Sequence, residues 1–343
     1  MRALKNKRTI LGLCCIAAST DAFLSFHRSH SSRLSRAIYA DGPKIPPPAR
    51  SKREYGGKLD RNPPPAPRII ASPSSKHDFE HNIRANKENW REALRCLEDM
   101  KTSGHGATLQ AFNAAITACA RGRQATNALK LMAEMEQAGF SPNVISYSSA
   151  INACARSNRW QGAVALLEAM KVKGIHPNVI TMSAAISACE KGGQWEKALA
   201  LLESMPGLGL KPDVITLSSA IEAFEKSGEV DLAMTIVDKG TSLGFYDHVW
   251  VSTSTVDLHE CSISMARSIL RCLLRDLKAK TRGMCDITVI TGRGKGSKGE
   301  AVLPQETRSF LASASGPLVT EVPANPGCFL LTEEHLLIWA EGS

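Results

Sequence analysis

Asp257 and His259, in the stretch Thr255-Val-Asp-Leu-His259, are spaced for acid–base work. The stretch reads as a β-strand, and a period of two puts both side chains on one face with Leu258 on the other. A second strand, 286–291, runs straight into Gly292-Arg-Gly-Lys-Gly-Ser-Lys-Gly299. Glycines leave backbone N–H groups open to a phosphate, and the cations among them add charge. Thr291, Gly292, Arg293, Gly294, Lys295 and Lys298 are therefore the candidate phosphate-binding residues. Cleaving a phosphodiester needs a group that activates the nucleophile and positive dipoles that hold the phosphate. Asp257 could orient a base or ligate a metal, and His259 could act as general acid or base. The same spacing also occurs structurally, and the pair alone leaves both roles open.

The elements that must position this pair follow a simple order. A helix is predicted over 264–280, with Ile269, Leu270, Leu273 and Leu277 as its buried stripe. Arg267, Arg271, Arg275 and Lys278 form an exposed basic stripe on its other side. A helix near 303–313, strands near 317–322 and 327–331, and a last short helix opening at Thr332 complete a β-α-β-α-β-β layer fold. From Cys261 to Gly299 there are nine Lys/Arg and two Asp/Glu, a local basic footprint.

Upstream, the chain repeats itself. Val144-Ile-Ser-Tyr-Ser-Ser-Ala-Ile-Asn-Ala-Cys154 returns at 179–189 and again at 214–224, always 35 residues on. Pro142, Pro177 and Pro212 keep register, as do Gly139, Gly174, Gly209 and Gly244. Trp90, Trp160 and Trp195 fit the same comb, with Ala125 in the gap. Four repeats fall at 109–143, 144–178, 179–213 and 214–248, and a degenerate one at about 74–108. A fixed period of this size means a stacked array. In 144–178, Tyr147, Ala150, Ile151 and Cys154 make one apolar helix face, and Trp160 to Met170 make a second helix, stopped by Gly174 and Pro177. Such a hairpin needs its neighbours to cover its apolar face.

The repeat text Val-Ile-Ser-Tyr-Ser, the run Ala198 to Met205 and the closing Gly-x-x-Pro-Asn/Asp resemble the pentatricopeptide repeat family, P-type. The 34-residue tetratricopeptide repeat, a protein binder, is the nearest rival; the period and the Pro-Asn/Asp ending argue against it. The resemblance implies a right-handed α-solenoid that binds single-stranded RNA, one base per repeat. It implies base reading by the fifth and last residues of each repeat: Asn113 with Asn143, Ser148 with Asn178, Ser183 with Asp213, and Ser218 with His248. In 5′ to 3′ order it implies a pyrimidine, adenine, guanine and an undefined base. Ser and Asn at such places also cap helices and turns. After the repeats, Asp257-Leu-His259, Thr291-Gly-Arg-Gly294 and Asn325-Pro-Gly327 resemble the small MutS-related (Smr) domain. That resemblance implies a nucleic-acid-binding domain over 254–343, in many members an endoribonuclease, with Asp257 and His259 central and a divalent cation such as Mg or Mn as candidate cofactor. Glu260 stands where the family has glycine, and Gly296-Ser297 where many members have His-Ser. The expected fold is thus an α-solenoid of pentatricopeptide helical hairpins over 76–248, followed by a small α/β Smr domain.

The formal charge of +9 is not spread evenly. Residues 1–76 hold 15 Lys/Arg and 4 Asp/Glu, and the remainder 27 and 29, so the basic balance says little about RNA. Residues 1–40 read as a targeting leader: Lys5, Lys7 and Arg8 precede the apolar run 10–18, and an Arg- and Ser-rich, acid-free stretch runs from Phe23 to Arg36. This resembles the two-part leaders of complex plastids, with a mitochondrial presequence as the alternative. Residues 41–75, with two Pro-Pro-Pro runs, read as a disordered linker. No later stretch is apolar enough for a membrane span. Cys119, Cys154 and Cys189 share one core-facing position, and no Cys-x-x-Cys or zinc spacing occurs among the ten cysteines. Expected partners are single-stranded RNA and other organellar RNA-processing factors. A non-catalytic RNA binder that protects transcripts or recruits nucleases is the second reading, and a protein-binding scaffold the third.

Overall fold

Repeat boundaries coincide with helix starts. In the computed structural model, which describes residues 69–71, 73–292, 302–313, 316–322, 325 and 327–341, the last residue of one repeat caps the first helix of the next. Those first helices are α3 (Leu109–Arg121), α5 (Val144–Arg156), α7 (Val179–Lys191) and α9 (Val214–Ser227). Thr108, Asn143, Asn178 and Asp213 each accept a hydrogen bond from the N–H three residues on. Each such cap stabilises by about 1 kcal/mol. The returning helices are α4 (Ala125–Gln137), α6 (Trp160–Val172), α8 (Trp195–Ser204) and α10 (Val230–Ser242). Gly139, Gly174, Gly209 and Gly244 follow them with left-handed φ of +83°, +67°, +70° and +77°, a turn that other residues reach only under strain. Pro206, which cannot extend an α-helix, shortens α8 and leaves a 3₁₀ turn over Pro206–Leu208.

Stacking buries the same registers in every repeat. Phe112, Tyr147, Met182 and Leu217 are buried, as are Ile116, Ile151, Ile186 and Ile221, and Cys119, Cys154, Cys189 and Phe224. Burial pushes the Cys119 and Cys189 thiols up to about 11, so they behave as small apolar groups. A tryptophan–glycine contact locks adjacent hairpins: a Cβ on Gly122 would lie 2.2 Å from Trp90 Cδ1, and one on Gly192 would lie 2.2 Å from Trp160 Cδ1. The degenerate first repeat forms a full hairpin, α1 (Lys76–Ala85) and α2 (Trp90–Thr102), with Phe79, Ile83, Leu97 and Met100 buried.

After Tyr246, whose ring packs against Gly240, the period gives way to the predicted α/β order. Its elements are β1 (Thr255–Asp257), α11 (Ile263–Lys278), β2 (Ile287–Ile290), α12 (Val302–Ser313), β3 (Thr320–Glu321), β4 (Cys328–Leu331) and α13 (Glu333–Glu341). The sheet order is β1-β2-β4-β3: β1 and β2 are parallel, as a helical crossover requires, and the other pairs are antiparallel. Strand β1 ends at Asp257 rather than running on to His259, because the His259 N–H turns back to Asp257 Oδ1 at 3.1 Å. Residues 67–343 form one compact unit in which α11 packs on α9 and α10. Among the described residues no helix is long and apolar enough to cross a membrane.

Candidate nucleic-acid interface

Three of the four predicted base-reading pairs are joined by a buried hydroxyl from the following repeat. Ser146 Oγ donates to Asn113 Oδ1 at 2.6 Å and lies 3.2 Å from Asn143 Oδ1. Thr181 Oγ1 lies 2.6 Å from Ser148 Oγ and donates to Asn178 Oδ1 at 2.8 Å. Thr216 Oγ1 lies 2.5 Å from Ser183 Oγ and donates to Asp213 Oδ1 at 2.6 Å. Ser146, Thr181 and Thr216 are fully buried, so each hydroxyl must be satisfied within the protein and fixes both members of its pair. Asn143, Asn178 and Asp213 do cap helices, yet the caps use Oδ1 alone. The amides of Asn143 and Asn178 keep a donor, whereas Asp213 can only accept while ionised. The three pairs therefore differ in hydrogen-bonding chemistry.

The fourth pair departs from this plan. The position three residues after His248 is Val251, which has no hydroxyl to bridge it to Ser218. His248 is exposed in the turn after α10, and Ser218 instead approaches the buried Tyr246 hydroxyl, whose burial pushes it up to about 12.

Two further combs run beside the pairs and were missed in the sequence. Ile145, Ile180 and Ile215 are 60%, 68% and 63% exposed, each at the second position of its repeat. Only their recurrence with solvent exposure marks them, and exposure cannot be read from one sequence. Arg121, Arg156, Lys191 and Lys226 recur at the end of each first helix and are exposed; their 35-residue spacing was legible. A groove of about 460 Å³ at the N-terminal end joins these features, lined by Arg84, Lys87, Gln110, Asn113, Arg121 and Ile145 among others.

In the α/β part the predicted acid–base pair is in contact. His259 Nδ1 lies 2.7 Å from Asp257 Oδ1. That hydrogen bond holds the His259 imidazolium above the usual histidine value. Glu260 adds to the same effect from the other ring nitrogen, at 3.5 Å from Nε2. Gly292 has φ +76°, and a Cβ there would sit 3.2 Å from His259 Cβ, so Gly292 itself lies directly against the histidine. Thr291 is buried and its N–H and hydroxyl both donate to the Gly327 carbonyl, at 2.8 and 3.1 Å. Its hydroxyl proton therefore serves the join to Gly327 rather than a phosphate. Arg293, Gly294, Lys295 and Lys298 lie outside the described residues.

The expected exposed basic stripe is not a free positive face. Arg267 pairs with Glu306 at 2.5 Å, Arg271 with the buried Glu225 carboxylate, and Arg275 with Asp238 at 2.7 and 2.9 Å and with Asp276. Lys278 lies 4.7 Å over the Trp339 ring. Glu225 and Asp238 belong to the fourth repeat, so α11 turns Arg271 and Arg275 toward the array, and Arg267 toward α12. Ser262 and Ser268 add hydroxyl bonds to Glu222 and Glu225, at 2.9 and 2.5 Å.

Residues 112–247 match the family described as the pentacotripeptide-repeat region of PRORP. Among solved structures, the chain is similar to the PPR domain of Arabidopsis thaliana protein-only RNase P 1 in complex with tRNA, at 14% identity over 58% of this chain and 99% of that one, TM-score 0.47. It is similar to A. thaliana nuclear protein-only RNase P 2 at 17% identity, over 48% of this chain and 38% of that one, TM-score 0.42. PPR10 in complex with an 18-nt psaJ RNA element is similar at 19% identity, over 87% of this chain and 43% of that one, TM-score 0.42. The chain thus spans less than half of the last two. No curated protein sequence matches it. The family match begins three residues into the first clear repeat and stops one short of His248, where the period ends: this segment of the chain is a pentatricopeptide-repeat region.

Proposed function

We propose that the protein binds single-stranded RNA along the first helices of its repeats and acts in organellar RNA processing or stability. The observation that carries this reading is the set of hydroxyl-bridged pairs Asn113/Asn143, Ser148/Asn178 and Ser183/Asp213, held at one spacing beside exposed isoleucines. Polar groups fixed in this way suit base edges, an aliphatic side chain suits a base face, and the cation comb suits phosphates. Solved pentatricopeptide structures that hold tRNA or an RNA element support the same partner. The leader supports plastid import, with the mitochondrion as the alternative; a reporter carrying residues 1–40 would report which organelle takes it up.

In this reading the α/β part is an Smr-like domain that engages RNA beside the array and cuts it. His259, whose pKa the Asp257 hydrogen bond raises, is the group placed to give a proton to a phosphate or leaving oxygen, and Gly292 beside it leaves room for that phosphate. No three His, Cys, Asp or Glu side chains gather as a metal-binding set among the described residues, so no step is assigned to Mg or Mn. A second reading, binding without cleavage, is favoured by Glu260, whose carboxylate stands at the nitrogen that would face RNA. Labelled RNA incubated with the protein and with His259→Ala, with Mg²⁺ or Mn²⁺ present, separates the two. Cutting lost in the variant supports the nuclease, equal cutting by both refutes the assignment, and binding without cutting supports the second reading. Binding that ignores base sequence and resists salt would refute RNA recognition.

A further inference from the structure

The tryptophan ladder of the array has one missing rung. Trp90, Trp160 and Trp195 occupy the first position of their helices, and Trp90 and Trp160 fill the space over Gly122 and Gly192 of the next repeat. In the first clear repeat that position is Ala125, and the residue opposite is Ser157. The Ser157 hydroxyl partly fills the gap: it lies 3.3 Å from the Ala125 N–H and donates to the Arg123 carbonyl at 2.8 Å. What remains is a polar cleft of about 380 Å³, lined by Arg123, Arg156, Arg159, Thr126 and Asn158 with no acid among its lining residues.

Three features make the cleft unlike its neighbours. First, Arg123, Arg156 and Arg159 are exposed and enter no ion pair among the described residues. Second, the equivalent edge one repeat on carries two cations and no acid, Arg159 and Lys191, and the next carries Lys226 with Glu196 and Glu229. Third, Arg123 has φ +56°, where the equivalent residues of the next three repeats are Asn158, which tolerates this region, at +56°, and Gly193 and Gly228 at +63° and +81°. A bulky cation kept at a left-handed position is a strained choice that asks for a role. The cleft also contains the N-terminus of the 13-residue helix α4, whose N-cap Gln124 makes no side-chain cap.

We infer that this cleft binds a phosphodiester group of the RNA chain, outside the base-reading groove. Guanidinium forks match a phosphate, and a helix start where Gln124 gives no side-chain cap and Ser157 takes only the Ala125 N–H adds to them. Arg156 belongs at once to the cleft and to the comb of Arg121, Arg156, Lys191 and Lys226, so a backbone following that comb reaches the cleft without a break. The inference rests on the RNA-binding reading above and adds a contact that no regular repeat of this array can make.

The test uses the full chain and a labelled single-stranded RNA of about 16 nucleotides containing U-A-G, with affinity measured from about 50 to about 200 mM salt. Arg123→Gly with Arg159→Gln removes two cations and relieves the left-handed backbone, so its thermal midpoint should equal or exceed wild type. Ala125→Trp combined with Ser157→Gly restores the rung together with the glycine it packs on, and closes the cleft without touching charge. Affinity should fall about tenfold in the double variant, and its slope against log salt should shrink by about 1.4, at about 0.7 per phosphate contact. The tryptophan variant should also bind more weakly. Affinity and slope unchanged in both variants, with wild type binding RNA, would overturn the inference alone. A wild type that binds no RNA would remove the reading beneath it as well. Polyglutamate bound by wild type and lost by the double variant, with RNA affinity unchanged, would assign the cleft to an acidic protein and overturn it too.

Discussion

Replacing Thr181 by valine removes a hydroxyl and little else. Thr181 is fully buried, and its Oγ1 joins Ser148 at 2.6 Å to Asn178 at 2.8 Å. Neither partner is stranded by the change: Ser148 still donates to the Val144 carbonyl at 2.7 Å, and Asn178 Oδ1 still accepts from the Thr181 N–H at 2.9 Å. Two hydrogen bonds at about 1 kcal/mol each, one of them recovered in part as Ser148 turns its proton to Val144, put the loss at roughly 1–2 kcal/mol. For a unit of this size the unfolding midpoint should drop by roughly 2–8 °C. Binding should suffer separately, because Asn178 must then be ordered by the RNA instead of by the protein. That costs about 0.5–1.5 kcal/mol, or roughly two- to tenfold in affinity. Thr216→Val should cost more, since its bond at 2.6 Å runs to the Asp213 carboxylate. Thermal denaturation and fluorescence anisotropy with single-stranded RNA measure both effects. Equal midpoints and affinities in wild type and Thr181→Val, or a smaller effect for Thr216→Val, would refute the idea that these hydroxyls set the reading pairs.

Three other outcomes follow from single contacts. Gly192→Ala would place a Cβ 2.2 Å from Trp160 Cδ1, so the array should lose about 1–3 kcal/mol by denaturant titration; an unchanged midpoint would mean that the ladder yields freely. Arg271→Ala leaves Glu225, whose side chain is 4% exposed, with only the Ser268 hydroxyl and should cost about 3 kcal/mol, against a negligible loss if the join is incidental. His259 should titrate above 6.5 by NMR and return toward that value in Asp257→Asn. Because its folded value is raised, the stabilisation is complete below about 6.5 and fades as pH climbs through the raised value; stability that grows across that window would contradict the pairing.

The repeat architecture was legible because stacking imposes one period on every layer. Phe112, Tyr147, Met182 and Leu217 differ in type yet share one buried register, and spacing alone located them. The polar pairs Asn113/Asn143, Ser148/Asn178 and Ser183/Asp213 could be placed by the same spacing, but their bridging hydroxyls could not. Ser146, Thr181 and Thr216 look like ordinary polar residues of a helix first turn until the next hairpin is laid against them. The fourth pair failed where the period failed, since a bridge needs a following repeat. In the α/β part the spacing pointed to Asp257 and His259, but a turn makes their contact: the strand ends at Asp257, and His259 folds back onto its carboxylate. The helix period identified the arginine side of α11 but not what that side would meet, because Glu225 and Asp238 come from another element.

The pairing of the α11 arginines bears on function. A free basic stripe would belong to a domain on a tether, searching for RNA by itself. Arginines paired to Glu225 and Asp238 instead fasten the helix to the last repeat. Only three residues from His259, Ser262 donates to Glu222 on α9, a first helix like those that carry the reading pairs. The Asp257–His259 pair is thus held beside the end of the array. An RNA strand read by the repeats and engaged at this pair meets it at one fixed spacing. Mapping cleaved ends, or zero-length crosslinks if the strand is not cut, should give a single position relative to U-A-G. Glu222→Ala with Arg271→Ala should spread it over neighbouring positions. Scattered positions in wild type would show that the fastening does not govern where the RNA is met.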